Sequence, residues 1–369
     1  MLSVFCSPSR YTQGRGATAH LGAEMKGLGL DGPVLIVAGR AAKSLLSEVW
    51  RTSLDEAGYA YSVHDFGGEC SHTEIGRIVG AAREGKAATI VGAGGGKVLD
   101  AARAAAADLN LPVVNCPTVA SSDAPCSALS VIYTDEGVFQ EYRFYRKNPE
   151  LVLVDSQVVA HAPPRLLAAG MGDALATWFE AKTCVAGHVR NLRGGASTRS
   201  ALALAQLCYQ TLIEDGPEAM RAVSLQAVTP ALERIIEANT LLSGLGFESS
   251  GLAAAHAVHN GLTAAPATTR FFHGEKVAFG VIVQLVLEGA SQAQFAEVFQ
   301  FSTSVGLPIT LEQIGCGEMP REMLQRVAAR TTAPGETIHN EPFEVTPALV
   351  ADAILAADAA GRAWCQLKG

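Results

Sequence analysis

Short, wholly apolar runs alternate with stretches of helical period through the first half of the chain. Val34–Val37 lies between Gly32-Pro33 and Gly39, and Ala88–Val91, Pro112–Asn115 and Leu151–Val154 have the same character, with Tyr59–Val63 a weaker member. Apolar runs of four or five residues without alternation suit strands buried on both faces of a parallel sheet. Between them, Thr18–Leu28, Ala42–Ala57, Thr73–Gly85 and Val98–Leu109 predict helices, the third capped by Ser71 or Thr73. Strand–helix alternation of this kind predicts a Rossmann-like, doubly wound sheet. One pair breaks the rhythm. Leu129–Thr134 and Val138–Phe144 flank the turn Asp135-Glu136-Gly137 and predict an added β-hairpin. From Pro163-Pro164 onward the strand signals stop. Ser197–Ile213, Pro230–Leu242, Ser250–Thr263 and Glu275–Leu287 read as helices, with Thr229-Pro230 a cap and first-turn proline, and Gly244, Gly246 and Gly289 as stops. The reading is an α/β domain over residues 1–162 followed by an all-α helical-bundle domain over 163–369.

Composition narrows the function classes. Hydrophobic residues make up 49% and charged residues 17% of 369, apolar enough for two cores and far from a disordered composition. A net charge of −8 with no Lys/Arg cluster argues against nucleic acid or an anionic membrane as partner. The N-terminal stretch lacks a basic start followed by an apolar run, and no apolar stretch is long enough to span a bilayer. Eight cysteines without a C-x-x-C pair suggest thiols in a reducing compartment, and the expected setting is the cytoplasm.

After the third strand come Gly92-Ala93-Gly94-Gly95-Gly96-Lys97 and an Ala-rich helix. Glycines permit positive φ and let the backbone approach a phosphate, the helix N-terminus offers free N–H groups, and Lys97 adds a full charge. The expected ligand is a nucleotide or dinucleotide pyrophosphate at Gly94, Gly95, Gly96 and Lys97. The spacing departs from G-x-G-x-x-G and the turn is not the first, while Val98 rules out a P-loop. Asp100, one turn into the helix, is expected to face a ribose or a nicotinamide amide. A tight turn with no ligand is the competing reading.

A second chemistry sits at Gly251–Lys276, where three of nine histidines fall. His256 and His259 are three apart in an Ala-rich run and share a helix face; His273 follows a loop. Neutral imidazole is a common metal ligand, and small neighbours leave room beside it. The third ligand is sought at Asp173, flanked by Gly170 and Gly172 in apolar company, where a carboxylate wants a partner. One Asp and two His leave coordination positions open, as in catalytic zinc or ferrous sites. The competing readings are a helix cap for Asp173 and buried polar contacts for the histidines.

Five segments carry a resemblance: Gly94–Asp100 (GGGKVLD), Pro117–Thr134, Ala169–Ala181 (AGMGDALATWFEA), Gly246–Ala264 and His273–Phe279 (HGEKVAF). Together they resemble the glycerol dehydrogenase branch of the iron-containing alcohol dehydrogenase superfamily. The resemblance implies a nucleotide-binding domain and a helical domain with the site in the cleft between, and reversible oxidation of glycerol to dihydroxyacetone with hydride passing to NAD. It implies zinc, with ferrous iron the alternative, on Asp173, His256 and His273. It further implies NAD contacts from Gly96, Lys97, Thr118, Ser127, Leu129 and Tyr133, with Ser121 from the same loop. Asp123 is implied beside a small polyol substrate, and the assembly is a homo-oligomer, often an octamer in that branch. His259 reads equally as a proton relay or as a structural hydrogen-bonder. One departure bears on the cofactor. Related enzymes carry an Asp after the first strand, where this chain has Gly39-Arg40. A carboxylate there favours NAD and an arginine accommodates a 2′-phosphate, so NAD is expected with NADP left open. The alternatives within the architecture are glycerol-1-phosphate dehydrogenase and a dehydroquinate-synthase-like cyclase. Both need a basic cluster for a phosphoryl group, for which the stretches around the metal residues offer mainly Arg270 and Lys276.

Overall fold

The computed structural model describes residues 1–368 and divides into two compact units. The first comprises Cys6–Ala162 with Ala222–Gly244; the second comprises Met1–Phe5, Pro163–Arg221 and the chain from Leu245 onward. The boundary near residue 162 is where a strand-rich sequence turns helical. The return of Ala222–Gly244 to the first unit departs from the division expected from sequence. Its reason is chemical. Asn239 donates to the Ala120 carbonyl at 2.9 Å, Thr240 pairs with Tyr11 at 2.7 Å, and Glu233 accepts from Gln13 and Ser156 at 2.6 Å each.

In the first unit the strands are β1 (Tyr11–Gly14), β2 (Val34–Ala38), β3 (Tyr61–Asp65), β4 (Thr89–Gly94), β5 (Val113–Pro117), β6 (Leu129–Tyr133), β7 (Phe139–Phe144) and β8 (Leu151–Asp155). The helices are α1 (Leu21–Gly27), α2 (Arg40–Ala57), α3 (His72–Glu84), α4 (Gly96–Leu109) and α5 (Ser156–Ala160). Six strands form one parallel sheet in the order β1-β8-β5-β4-β2-β3, and β6 and β7 form the separate antiparallel hairpin. Every residue of β2, β4, β5 and β8 is buried, as apolar runs covered on both faces require. The short β1 is the strand that the apolar pattern missed; its YTQG residues are half-buried and it extends the sheet in parallel beside β8.

The strand order places the glycine turn. The chain runs from β2 out to β3, then crosses back to β4 on the other side of β2. The order therefore reverses between β2 and β4, and a doubly wound sheet binds its ligand beyond the carboxyl ends of the strands at such a switch point. The turns after β2 and β4 meet there: Gly39 N–H donates to the Ala93 carbonyl at 3.0 Å.

The remaining helices are α6 (Pro164–Ala186), α7 (Arg199–Ser224), α8 (Pro230–Glu237), α9 (Ser243–Ser250), α10 (Ala254–Leu262), α11 (His273–Leu287), α12 (Gln292–Val305), α13 (Arg321–Thr331) and α14 (Pro347–Lys368). A π-helical turn, Ala238–Leu242, joins α8 to α9. Among the described residues no helix is long and apolar enough to cross a membrane.

Candidate metal centre and nucleotide turn

Helix α6 carries Asp173 on a face that is buried for most of its length. Two glycines bring α11 against it. A Cβ on Gly274 would fall on the Ala169 carbonyl and 2.9 Å from the Asp173 amide, and one on Gly172 would meet the Gly274 carbonyl. Only hydrogen fits at this crossing, so backbone touches backbone and His273, at the first position of α11, lands beside Asp173. Helix α10 brings His256 to the same point. The ligand atoms of Asp173, His256 and His273 lie within 4.8 Å of one another, which is the only such trio of potential metal ligands found among the described residues.

The two imidazoles present the same nitrogen. His273 Nε2 is 3.0 Å and His256 Nε2 3.3 Å from Asp173 Oδ1. The opposite nitrogen of each ring is engaged behind the site. His256 Nδ1 lies 2.6 Å from Glu180 Oε2, and an ionised carboxylate only accepts, so this nitrogen carries a proton and Nε2 is the one available to a cation. Glu180 also accepts from Ala253 N–H at 2.8 Å and His256 N–H at 2.9 Å. Glu341 and Gln284 accept from Ala254 and Ala255, so the first turn of α10 is satisfied by side chains from distant parts of the chain. Glu180 was missed in the sequence. The available signal was its place seven residues after Asp173, on the same helix face and in equally apolar company.

Electrostatics fit a cation. Asp173 is fully buried, which works against ionisation, yet the facing imidazoles of His273 and His256 hold its carboxyl well below the usual carboxylate range. His256 is raised well above its ordinary value: burial lowers it, and Glu180 and Asp173 outweigh burial. His259 goes the other way, since burial and then the charges of His273, Lys276 and His256 hold it neutral. Both of its ring nitrogens are engaged, Nε2 with His273 Nδ1 at 3.0 Å and Nδ1 with Asn260 Oδ1 at 3.1 Å. One buried carboxylate and two imidazoles with converging Nε2 atoms are a donor set that suits zinc or ferrous iron.

In the first unit, β4 runs through Gly94, Gly95 caps α4 and Gly96 begins it. None of the three has positive φ, contrary to the expectation from sequence. Their reason is closeness instead. A Cβ on Gly94 would strike Val98 at 2.6 Å, whereas those of Gly95 and Gly96 would meet only Val119 and Ser122 at 3.6 and 3.8 Å, leaving that backbone approachable. No side chain caps α4 and no acid lies in its first turn. Lys97 pairs with Glu69 at 2.5 Å and lies 5.3 Å from the Tyr133 ring centroid. Thr118 N–H bonds the Gly94 carbonyl at 3.0 Å, Ser121 and Leu129 are half-buried, and Ser127 is buried. Asp100 is turned inward. Its oxygens accept from Arg103 at 3.0 Å and from Val131 N–H at 3.1 Å, tying α4 to β6. That engagement assigns it to the fold and differs from the ribose or nicotinamide role expected of it. Asp123 is buried and accepts from Ser243 at 2.9 Å.

Comparison with known proteins agrees with this geometry. The profile of iron-containing alcohol dehydrogenases matches residues 8–156. A glycerol dehydrogenase of Pseudomonas putida is 52% identical over 96% of this chain and 97% of its own. A glycolaldehyde reductase of Halobacterium salinarum is 49% identical over 98% of this chain and 99% of its own. The crystal structure of glycerol dehydrogenase from Schizosaccharomyces pombe has a TM-score of 0.95 at 38% identity, covering 100% of this chain and 93% of that one. The fold and the Asp-His-His trio define a metal-dependent oxidoreductase, and the chain belongs to the iron-containing alcohol dehydrogenase family. Within it, the chain stands among the glycerol dehydrogenases at about 50% identity. The relatives do not favour the phosphoryl-handling alternatives, and Arg165, 4.9 Å from the ring of Phe272 before α11, is taken by Glu275 through two bonds of 2.6 and 2.9 Å.

Proposed function

We propose that this protein oxidises glycerol and related 1,2-diols to the hydroxyketone, passing hydride to NAD. The observation that carries the reading is the convergence of Asp173, His256 and His273 on one point, with Nε2 of both imidazoles within 3.3 Å of Asp173 Oδ1. These three side chains would hold a divalent cation, zinc on the strength of the branch, with ferrous iron suited by the same donors. When bound, the cation supplies the Lewis acidity that makes an alcohol proton easy to lose near neutral pH, and the nicotinamide supplies the hydride acceptor. The rest is the work of the chain. Asp173 and the two imidazoles are fixed before any ligand arrives, by the glycine crossing and by Glu180. The N–H groups at the start of α4 and the Lys97 ammonium take the pyrophosphate, with Thr118, Ser121, Ser127, Leu129 and Tyr133 as the further nucleotide contacts. Asp123, its carboxylate held by Ser243, accepts a hydroxyl hydrogen of the polyol.

The reading includes a homo-oligomer and a cytoplasmic setting, the latter supported by eight free thiols of which most are buried. The glycolaldehyde reductase among the relatives favours testing the reverse direction as well, on 2-hydroxyaldehydes. The test is a panel of glycerol, 1,2-propanediol, 2,3-butanediol, dihydroxyacetone and glycolaldehyde with NAD(H) and NADP(H), run before and after chelation. Turnover with diols and NAD, lost on chelation and restored by zinc or ferrous ion, is expected. Full turnover of metal-free protein, or none with any member of the panel, would refute the proposal.

A further inference from the structure

Behind His273 a chain of hydrogen bonds runs outward to an ion pair. His273 Nδ1 is 3.0 Å from His259 Nε2, and His259 Nδ1 is 3.1 Å from Asn260 Oδ1. Asn260 Nδ2 is 2.8 Å from Glu336 Oε2, and the other oxygen of Glu336 accepts from Arg330. The polarity of this chain follows from its outer end. The Glu336 carboxylate, paired with an arginine, has no proton to give, so Asn260 must turn its amide NH2 toward it. The Asn260 oxygen then faces His259 and only accepts, so the proton of His259 sits on Nδ1. His259 Nε2 is left as an acceptor and takes the proton of His273 Nδ1. His273 Nε2, 3.0 Å from Asp173 Oδ1, is thereby the nitrogen left to offer its lone pair to a cation held with that carboxylate.

We propose that Glu336, acting through Asn260 and His259, fixes which nitrogen of His273 carries its proton and so tunes the affinity of the trio for its cation. The proposal rests on the reading of Asp173, His256 and His273 as ligands. In it His259, Asn260 and Glu336 are positioning residues. An isosteric change makes the claim sharp. In Glu336→Gln, Arg330 demands the amide oxygen, so the Gln NH2 faces Asn260. Asn260 must then flip and turn its own NH2 on His259 Nδ1, and His259 is driven to carry its proton on Nε2, against the Nδ1 proton of His273. A second substitution restores the polarity. In Asn260→Asp/Glu336→Gln, one carboxylate oxygen accepts from the Gln and the other from His259 Nδ1. Asn260→Asp alone sets two carboxylates against each other.

The experiment titrates Zn2+ into chelator-stripped full-length protein at fixed pH, against a fluorescent zinc chelator, with a metal-free melting curve for each variant. E336Q is expected to bind zinc about tenfold more weakly or worse, the scale of outer-shell changes at metal sites. The double variant is expected to return to within about threefold of wild type, as the restored polarity requires. Wild-type affinity in E336Q overturns the proposal. So does a double variant that melts like wild type and still binds weakly. Should E336Q alone fail to fold, the affinity of the double variant decides. A wild-type protein that binds no zinc or ferrous ion would sink the parent reading instead.

Discussion

Gly274 tests the reasoning most directly, because its role is steric and the residue carries no charge of its own. A methyl group there would lie on the Ala169 carbonyl and 2.9 Å from the Asp173 amide, where ordinary contacts begin near 3.4 Å. Neither neighbour is a flexible side chain, so Gly274→Ala must push α11 from α6 by more than about 1 Å, which overpacking of a core makes costly at about 1–3 kcal/mol. The displacement falls on His273, whose Nε2 stands 3.0 Å from Asp173 Oδ1. Metal–ligand distances tolerate about 0.2 Å. One of three ligands is therefore lost, and affinity should fall by at least the hundredfold or so that marks the upper end of outer-shell changes. The assay is zinc competition on metal-free protein with a thermal melt of each form. Gly76→Ala is the control: Gly76 lies inside α3 with no atom within 4 Å of the place a methyl would take, so alanine should raise stability by up to about 1 kcal/mol and leave zinc binding alone. A Gly274→Ala protein that keeps wild-type zinc affinity and melting temperature would refute the helix-crossing account.

Glu180→Gln should weaken metal binding by about 10–100-fold, because all three groups that Glu180 meets are donors and one must now face an NH2; unchanged affinity in competition titrations would count against the arrangement. Arg40, exposed at the first position of α2 with no acid in that turn, should help accept a 2′-phosphate. Arg40→Asp is expected to shift the NAD:NADP ratio of kcat/KM toward NAD by on the order of tenfold or more, since like charges juxtaposed cost several kcal/mol; an unmoved ratio removes Arg40 from cofactor choice. Glu341 gives a pH prediction. Burial first, then the charge of Glu288, raises its carboxyl from an ordinary 4.5 to about 8. The native state thus holds a proton that the unfolded chain has released between these values, so its contribution to stability declines as pH rises through that window, by on the order of a few kcal/mol. Metal-free Glu341→Gln should lack this decline, and denaturant melts at pH 5, 6.5 and 8 that run parallel to wild type would contradict it.

Sequence and structure agree where burial alone decides. The strands β2, β4, β5 and β8 were legible because a strand covered on both faces is mostly apolar. Tyr11–Gly14 carries no such run; it is a strand because β8 offers an edge to pair with, and that is a tertiary fact. Residues Pro230–Leu242 were legible as helix and not as part of the sheet-bearing unit, since a period of 3.6 shows which face is buried and never against what. The glycine turn looked misplaced on a third strand. The strand order dissolves the anomaly, because β2 and β4 are neighbours across the switch point although β3 lies between them in the chain.

The metal residues were legible as types and not as a constellation. Asp173 and His256 stand 83 positions apart, and no spacing rule joins them. Gly172 and Gly274 let α11 touch α6 and so bring His273 to Asp173, and Glu180, which read as one more charge on α6, brings His256. Glu180 does two things at once: it caps the start of α10 by taking the Ala253 and His256 amides, and it holds the His256 ring. The backbone that positions the ligand and the proton that orients it thus depend on the same carboxylate. The carboxylate that holds the ring is itself held by the helix it caps, so rigidity at the site is obtained from bonds that the fold needs in any case. Glu336 is a different device, because nothing in the fold of α10 requires the polarity that it imposes. Its effect passes only through the direction of amide and imidazole protons, which leaves no mark on hydrophobic pattern, spacing or composition, and becomes visible only when donors and acceptors are counted atom by atom.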